Sequence, residues 1–227
     1  MSRDNQSDLK RLRESNVFKA YSDLRSMCMY YDMMAAKYSE LMCQIGHLRT
    51  RGEVHWSHYG NIEAETMEVS QTLFDFLSRM YFCKNYSSIC AKRYGFDSEF
   101  RTLKKQTFAD DASILINLRN YMVHIDMTPL EIDTDPARMS ILRLTDRCRS
   151  SDIWSPYQRR LLKDADMEDL LRRYNCQVIG FYQRYFDLMN SAMDSSLRTC
   201  RREIADFNSR QGFEMIHYGP LRPVTEP

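Results

Sequence analysis

Glycine and proline are scarce in this chain, at seven and six of 227 residues, which leaves too little turn punctuation for an all-β fold. No apolar run approaches the roughly 20 residues that a membrane-spanning helix needs. Residues 1–8 lack the apolar core of a signal peptide, so a cytoplasmic protein with no membrane partner is expected. Seven cysteines, an odd number without framework spacing, point to reduced thiols rather than disulfides. No His/Cys or carboxylate cluster has metal-ligand spacing and no glycine-rich phosphate loop is present, so neither a metal nor a cofactor is expected. A net charge of +1 argues against electrostatic coating of nucleic acid, while leaving room for a local phosphate site.

What is present is the composition of a globular chain, 43% hydrophobic and 28% charged. Arginine outnumbers lysine 24 to 8, with pairs at Arg159-Arg160, Arg172-Arg173 and Arg201-Arg202. Such pairs suit phosphate contact, but solvated helix faces and composition bias are the favoured account. Val17, Tyr21, Leu24, Cys28, Tyr31, Ala35, Tyr38, Met42 and Ile45 alternate four- and three-residue steps. That seam predicts one long helix from about Asp8 to Leu48. Arg51 to Gly60 reads as a loop, with Gly52 as a breaker and His55, Trp56 and His58 as packing residues rather than ligands.

A helix from about Ile62 to Arg93 should turn Leu73, Leu77 and Met80 inward, carry Cys83 and Cys90 as core thiols, and stop at Gly95. Asp97 suits the N-cap of a short helix bearing Phe100 and Leu103. Asp110 or Asp111 suits the cap of a further helix that Thr128-Pro129 ends. Residues 139–145 can form a short strand or hairpin, and Ser155-Pro156 restarts helix. The last long helix starts near Asp166 and carries Leu171, Tyr174, Val178, Phe181, Tyr185, Leu188 and Ala192. Leu197, Cys200, Ile204 and Phe207 continue it in shifted phase, which predicts a bend or break near Ser195. The two long helices are expected to pack on one another. The fold class is therefore all-α, a helical bundle over 1–211 with a small non-helical insertion and an irregular tail over 212–227.

The chemistry-bearing segment is Leu118-Arg119-Asn120-Tyr121-Met122-Val123-His124. Arginine offers a planar fork matched to phosphate, and histidine exchanges protons near neutrality. Arg49 with His55, Arg51 with His58 and Arg210 with His217 repeat the bare spacing. Only Arg119 and His124 combine a polar residue after the arginine with unbroken helical context. Ile114, Leu118, Tyr121, Met122 and Ile125 define one apolar stripe of that helix. Asn117, Asn120 and His124 form a polar strip on one flank, with Arg119 on the other. Ile116 and Val123 make the back face apolar too, so both faces call for burial, in a core or against a partner.

This segment resembles the signature helix of the HEPN superfamily (higher eukaryotes and prokaryotes nucleotide-binding), all-α domains many of which are metal-independent RNases. Their motif is Arg, usually Asn, Asp or His next, then His after four to six intervening residues, and Arg119, Asn120 and His124 fit it. The likeness extends loosely over residues 61–207, though only the motif is specific. The resemblance implies an RNA substrate, a homodimer in which two motif helices form one composite cleft, and a toxin, stress or phage-defence role with an antitoxin or regulatory partner. It implies that His124 serves as general base or acid, that Arg119 holds the phosphate, and that Asn120 orients one of them, with Asn117 and Arg119 binding substrate. Some relatives carry a tyrosine two residues after the histidine, the AMP acceptor in their toxin–antitoxin pairing; Asp126 stands there here. The competing expectation is a non-catalytic helical scaffold or partner-binding module in which the same residues are a residual polar core.

Overall fold

Ser15 divides what the seam predicts as one helix. In the computed structural model, which describes residues 3–54, 59–108, 111–133, 141–211 and 216, the N-terminal region forms α1 (Arg3–Glu14) and α2 (Asn16–Val54). The Ser15 hydroxyl accepts from the Phe18 N–H at 3.1 Å and its carbonyl accepts from Lys19, an N-cap that starts a new helix. At its other end α2 runs through Gly52, contrary to the expected break. A glycine costs about 1 kcal/mol of helix propensity, too little to end a long cooperative helix. The next helix, α3 (Tyr59–Arg93), also starts early; residues 55–58, and with them the roles expected of His55, Trp56 and His58, lie outside the described residues.

Gly95 stops α3 as expected, at φ +80° with the Phe96 N–H bonded back to the Ala91 carbonyl at 3.0 Å. Asp97 is the first residue of α4 (Asp97–Thr107) rather than its cap, and pairs with Arg101 at 2.7 Å. The motif helix is α5 (Asp111–His124); the capping role expected of Asp110 falls outside the described residues. Strands β1 (Leu130–Asp133) and β2 (Ile141–Leu144) pair antiparallel, Leu130 opposite Leu144 and Ile132 opposite Leu142. Leu130, Leu142 and Leu144 are buried, while Glu131 and Arg143 alternate to the other face.

Two short helices, α6 (Asp146–Arg149) and α7 (Pro156–Leu162), follow the hairpin. Ser155 and Gln158 make a reciprocal capping box with Pro156 in the first turn. The last helix, α8 (Met167–Gln211), is continuous over 45 residues, so no break interrupts it near Ser195. Its buried positions run Phe181, Tyr182, Tyr185, Met189, Met193, Leu197, Cys200, Ile204 and Phe207. The seam passes through Met189 and Met193 instead of Leu188 and Ala192, so no phase shift needs a bend. Of the tail, only Ile216 is described; its N–H and carbonyl bond the Asn208 amide at 3.0 and 2.7 Å. The described residues are thus all-α with a two-stranded hairpin between α5 and α6, and no helix among them is long and apolar enough to cross a membrane.

The chain divides into two compact units. The first combines residues 1–32, 83–103 and 182–227. Its core is aromatic: Tyr31 lies against Tyr182 (5.2 Å) and Phe186 (5.9 Å), and Phe96 and Phe100 against Tyr185. There Asp23 accepts from Tyr86, Tyr94 and Arg93 together.

The second unit combines residues 33–82 and 104–181, and holds α5 and the hairpin. Tyr38 packs on Phe76, and Phe108 on Tyr174 and Phe181. Arg49 bonds both Asp166 and Glu168, and Glu168 also takes Arg172. In each unit, then, α2 and α8 are neighbours, as their matched seams predict.

Candidate functional site

Helix α5 owes its orientation to one apolar face. Ile114, Leu115, Leu118, Tyr121 and Met122 are buried, each at 1% exposure or less, and at about 1.5–3 kcal/mol per fully buried large apolar side chain this face anchors the helix. Ile125, expected on the same stripe, lies one residue past the helix end and is 47% exposed. The helix stops at His124, four residues before Thr128. There the Ile125 and Asp126 N–H groups both return to the Tyr121 carbonyl. Asp126 then accepts from the backbone N–H and hydroxyl of Thr128, each at 2.9 Å, and from Arg147. Those bonds, the Thr128 N–H foremost, hold its carboxyl below the usual range. Asp126 is thus a turn-forming acid.

Asn117 faces α7. Its amide nitrogen donates to the Ile153 carbonyl (3.3 Å) and to Gln158 Oε1 (3.4 Å). Gln158 is buried and is itself tied to Ser113 and to the Ser155 N–H. In the fold Asn117 is thus a clamp between α5 and the α7 capping box, and its amide nitrogen is engaged there.

Arg119 and Asn120 come together. Sequence geometry sets them on different flanks, but the long arginine stem lets Nη1 donate to Asn120 Oδ1 at 3.3 Å. The guanidinium carbon also lies 4.9 Å from the centroid of the Tyr81 ring on α3, within cation–π range. Arg119 Nε is buried without a hydrogen-bond partner among the described residues. Sequence reasoning missed Tyr81, since nothing local to α3 distinguishes it from Met80 or Phe82; only the crossing of the two helices makes it part of the site.

His124 closes α5, exposed to solvent, one turn beyond Asn120. Around it Val123 and Met127 are 40% and 43% exposed and Ile116 is half-buried. The outward strip of α5 therefore carries Ile116, Asn120, Val123 and His124, with Arg119 at its edge: three polar groups interleaved with apolar surface that the described residues leave partly exposed. Apolar surface beside an exposed histidine suits a covered, partly desolvated cleft.

Of the competing Arg/His pairs, His55, His58 and His217 lie outside the described residues. Arg49 is held between Asp166 and Glu168, and Arg210 pairs with Asp8 at 3.5 Å. Among the described residues, no group of three or more His, Cys, Asp or Glu side chains could hold a metal ion. No family model, curated protein or solved structure matches this chain.

Proposed function

We propose that the chain is an endoribonuclease of HEPN type, acting without metal through a composite site in which two copies present their α5 strips to one another. The observation that carries this reading is the outward strip of α5: Arg119 and Asn120 hydrogen-bonded to each other, His124 exposed one turn on, and Val123 exposed between them. His124 of one copy takes the proton from a ribose 2′-hydroxyl as its oxygen bonds to the adjacent phosphorus. The bond from phosphorus to the departing 5′-oxygen breaks, and that oxygen takes a proton from His124 of the second copy. Arg119 stabilises the charge building on the non-bridging oxygens, and Asn120 fixes the arginine through its Oδ1. Asn117 supports the helix rather than touching RNA. A toxin, stress or defence role, with an antitoxin or regulatory partner, belongs to the same proposal.

The experiment is RNA incubation with purified protein in the presence of EDTA, comparing the parent with His124→Ala. Cleavage by the parent that leaves cyclic phosphate ends, and its loss in the variant, is the expected result. One observation favours the second reading, a non-catalytic scaffold: Arg119 already has an aromatic ring and an amide as internal partners. Absence of cleavage by the parent over a broad RNA panel would decide for it.

A further inference from the structure

Three features of Arg119 have a joint consequence. Its Nη1 is engaged by Asn120, its guanidinium lies over the Tyr81 ring, and its Nε–H is buried with no acceptor. Nη1 is the guanidinium nitrogen on the Cδ side, so the remaining edge of the fork is formed by Nε–H and Nη2–H, two parallel donors. That edge matches two oxygens of one phosphate, and among the described residues no protein acceptor occupies it. A buried N–H left unpaired is destabilising, and an oxyanion entering along Nη2 removes that penalty. Asn120 makes this choice of edge, because bonding Nη1 leaves the Nε–Nη2 pair unengaged. Tyr81 supplies the second constraint: a ring face against the guanidinium restrains rotation about the side chain, so the fork is held before the ligand arrives.

We infer that Tyr81 is the positioning residue of a phosphate site, its ring holding Arg119 so that the Nε–Nη2 edge receives two oxygens of one phosphoryl group. The inference rests on the endoribonuclease reading for its biological substrate, RNA, but the site itself is defined by the arginine and its two neighbours. Tyr81 touches no reacting atom. Its action is through Arg119, and what it needs is the aromatic face rather than the hydroxyl.

The test uses the full chain, nitrogen-15 labelled, and follows the Arg119 Nε–H resonance, identified by its disappearance in Arg119→Lys, while inorganic phosphate is titrated. Phosphate is expected to shift this resonance in the parent and in Tyr81→Phe with the same affinity. In Tyr81→Leu the affinity is expected to fall by about two- to thirtyfold, the range a ring–guanidinium contact supports. Should Tyr81→Leu not fold, Tyr81→Met replaces the ring with a chain of similar reach. A phosphate response that survives loss of the ring within twofold, or no response in the parent, overturns the inference. Cleavage kinetics separate it from the functional reading. If phosphate binding depends on the ring and the parent cuts no RNA, the site stands and the ribonuclease proposal falls. If RNA is cut with kcat and KM indifferent to Tyr81→Leu, the positioning role falls and the ribonuclease proposal stands.

Discussion

Replacing His124 and Asn117 in parallel separates chemistry from structure, because the two neighbours on one helix differ so sharply in surroundings. His124 is exposed at the end of α5 and makes none of the described hydrogen bonds. Truncating it to alanine removes no packing, and a surface change of this kind moves stability by no more than about 0.5 kcal/mol. Asn117 instead gives up its bonds to the Ile153 carbonyl and to Gln158 Oε1. At about 0.5–1.5 kcal/mol net for each neutral bond, and with both at the long end of the range, Asn117→Ala is expected to cost about 1–2 kcal/mol. For a chain of this size that is a fall in Tm of about 2–8 °C. The activities are expected to be ordered the other way: His124→Ala loses about a hundredfold or more in RNA cleavage, and Asn117→Ala retains most of it at temperatures where it is folded. Thermal melts and cleavage rates on the same preparations provide the check. A His124→Ala protein that cleaves RNA as fast as its parent, or that melts several degrees lower, refutes the assignment of His124 as an exposed proton carrier.

Thiol labelling offers an independent test of the core. Burial pushes Cys28, Cys83, Cys90 and Cys148 up to about 12 and Cys200 to about 11, while Cys43 and Cys176 are exposed. A thiol reagent at neutral pH is expected to modify two cysteines in the native protein and seven after unfolding, and rapid modification of four or more natively contradicts this packing. Two glycines should respond with opposite signs. Gly95→Ala is expected to cost about 1–2 kcal/mol because φ is +80°, whereas Gly180→Ala inside α8, with nothing within 4 Å of the added carbon, is expected to gain about 0.5–1 kcal/mol; urea midpoints that move in the same direction refute this. Acid should loosen the turn after α5. The Asp126 carboxyl is held below its usual value, chiefly by the Thr128 N–H, so its contribution is complete above the ordinary carboxylate pKa of about 3.9 and is lost as pH falls through the lowered value. The Tm gap between the parent and Asp126→Ala should therefore close on acidification, and a gap that persists at pH 2 counts against the bond network.

Much of the fold is local, and local rules reached it from sequence. Ser155 with Pro156, Gly95 after Arg93 and the apolar period of α5 specify their elements through backbone groups a few residues away, so no distant partner is needed to read them. The same holds for the placement of Arg119, Asn120 and His124 on consecutive turns of one helix. Ser15 was also legible in principle: its hydroxyl caps a new helix from within three residues, but the uninterrupted seam masked the signal. What tertiary structure decided is which of several equivalent side chains would face inward and which would meet across helices. Along α8, Met189 and Met193 compete with Leu188 and Ala192 for the seam, and hydropathy alone does not choose; packing buries the methionines, which removes the need for a bend. Asn117 looks like its neighbours on the polar strip until α7 approaches and engages its amide. Tyr81 has no sequence signature at all, because its place over Arg119 depends on the crossing of α3 and α5, residues 38 positions apart meeting through the fold. The residue types of α5 lay in the sequence; which of them meet other helices, Asn117 with α7 and Arg119 with Tyr81, was set by which surfaces the folded chain brought together.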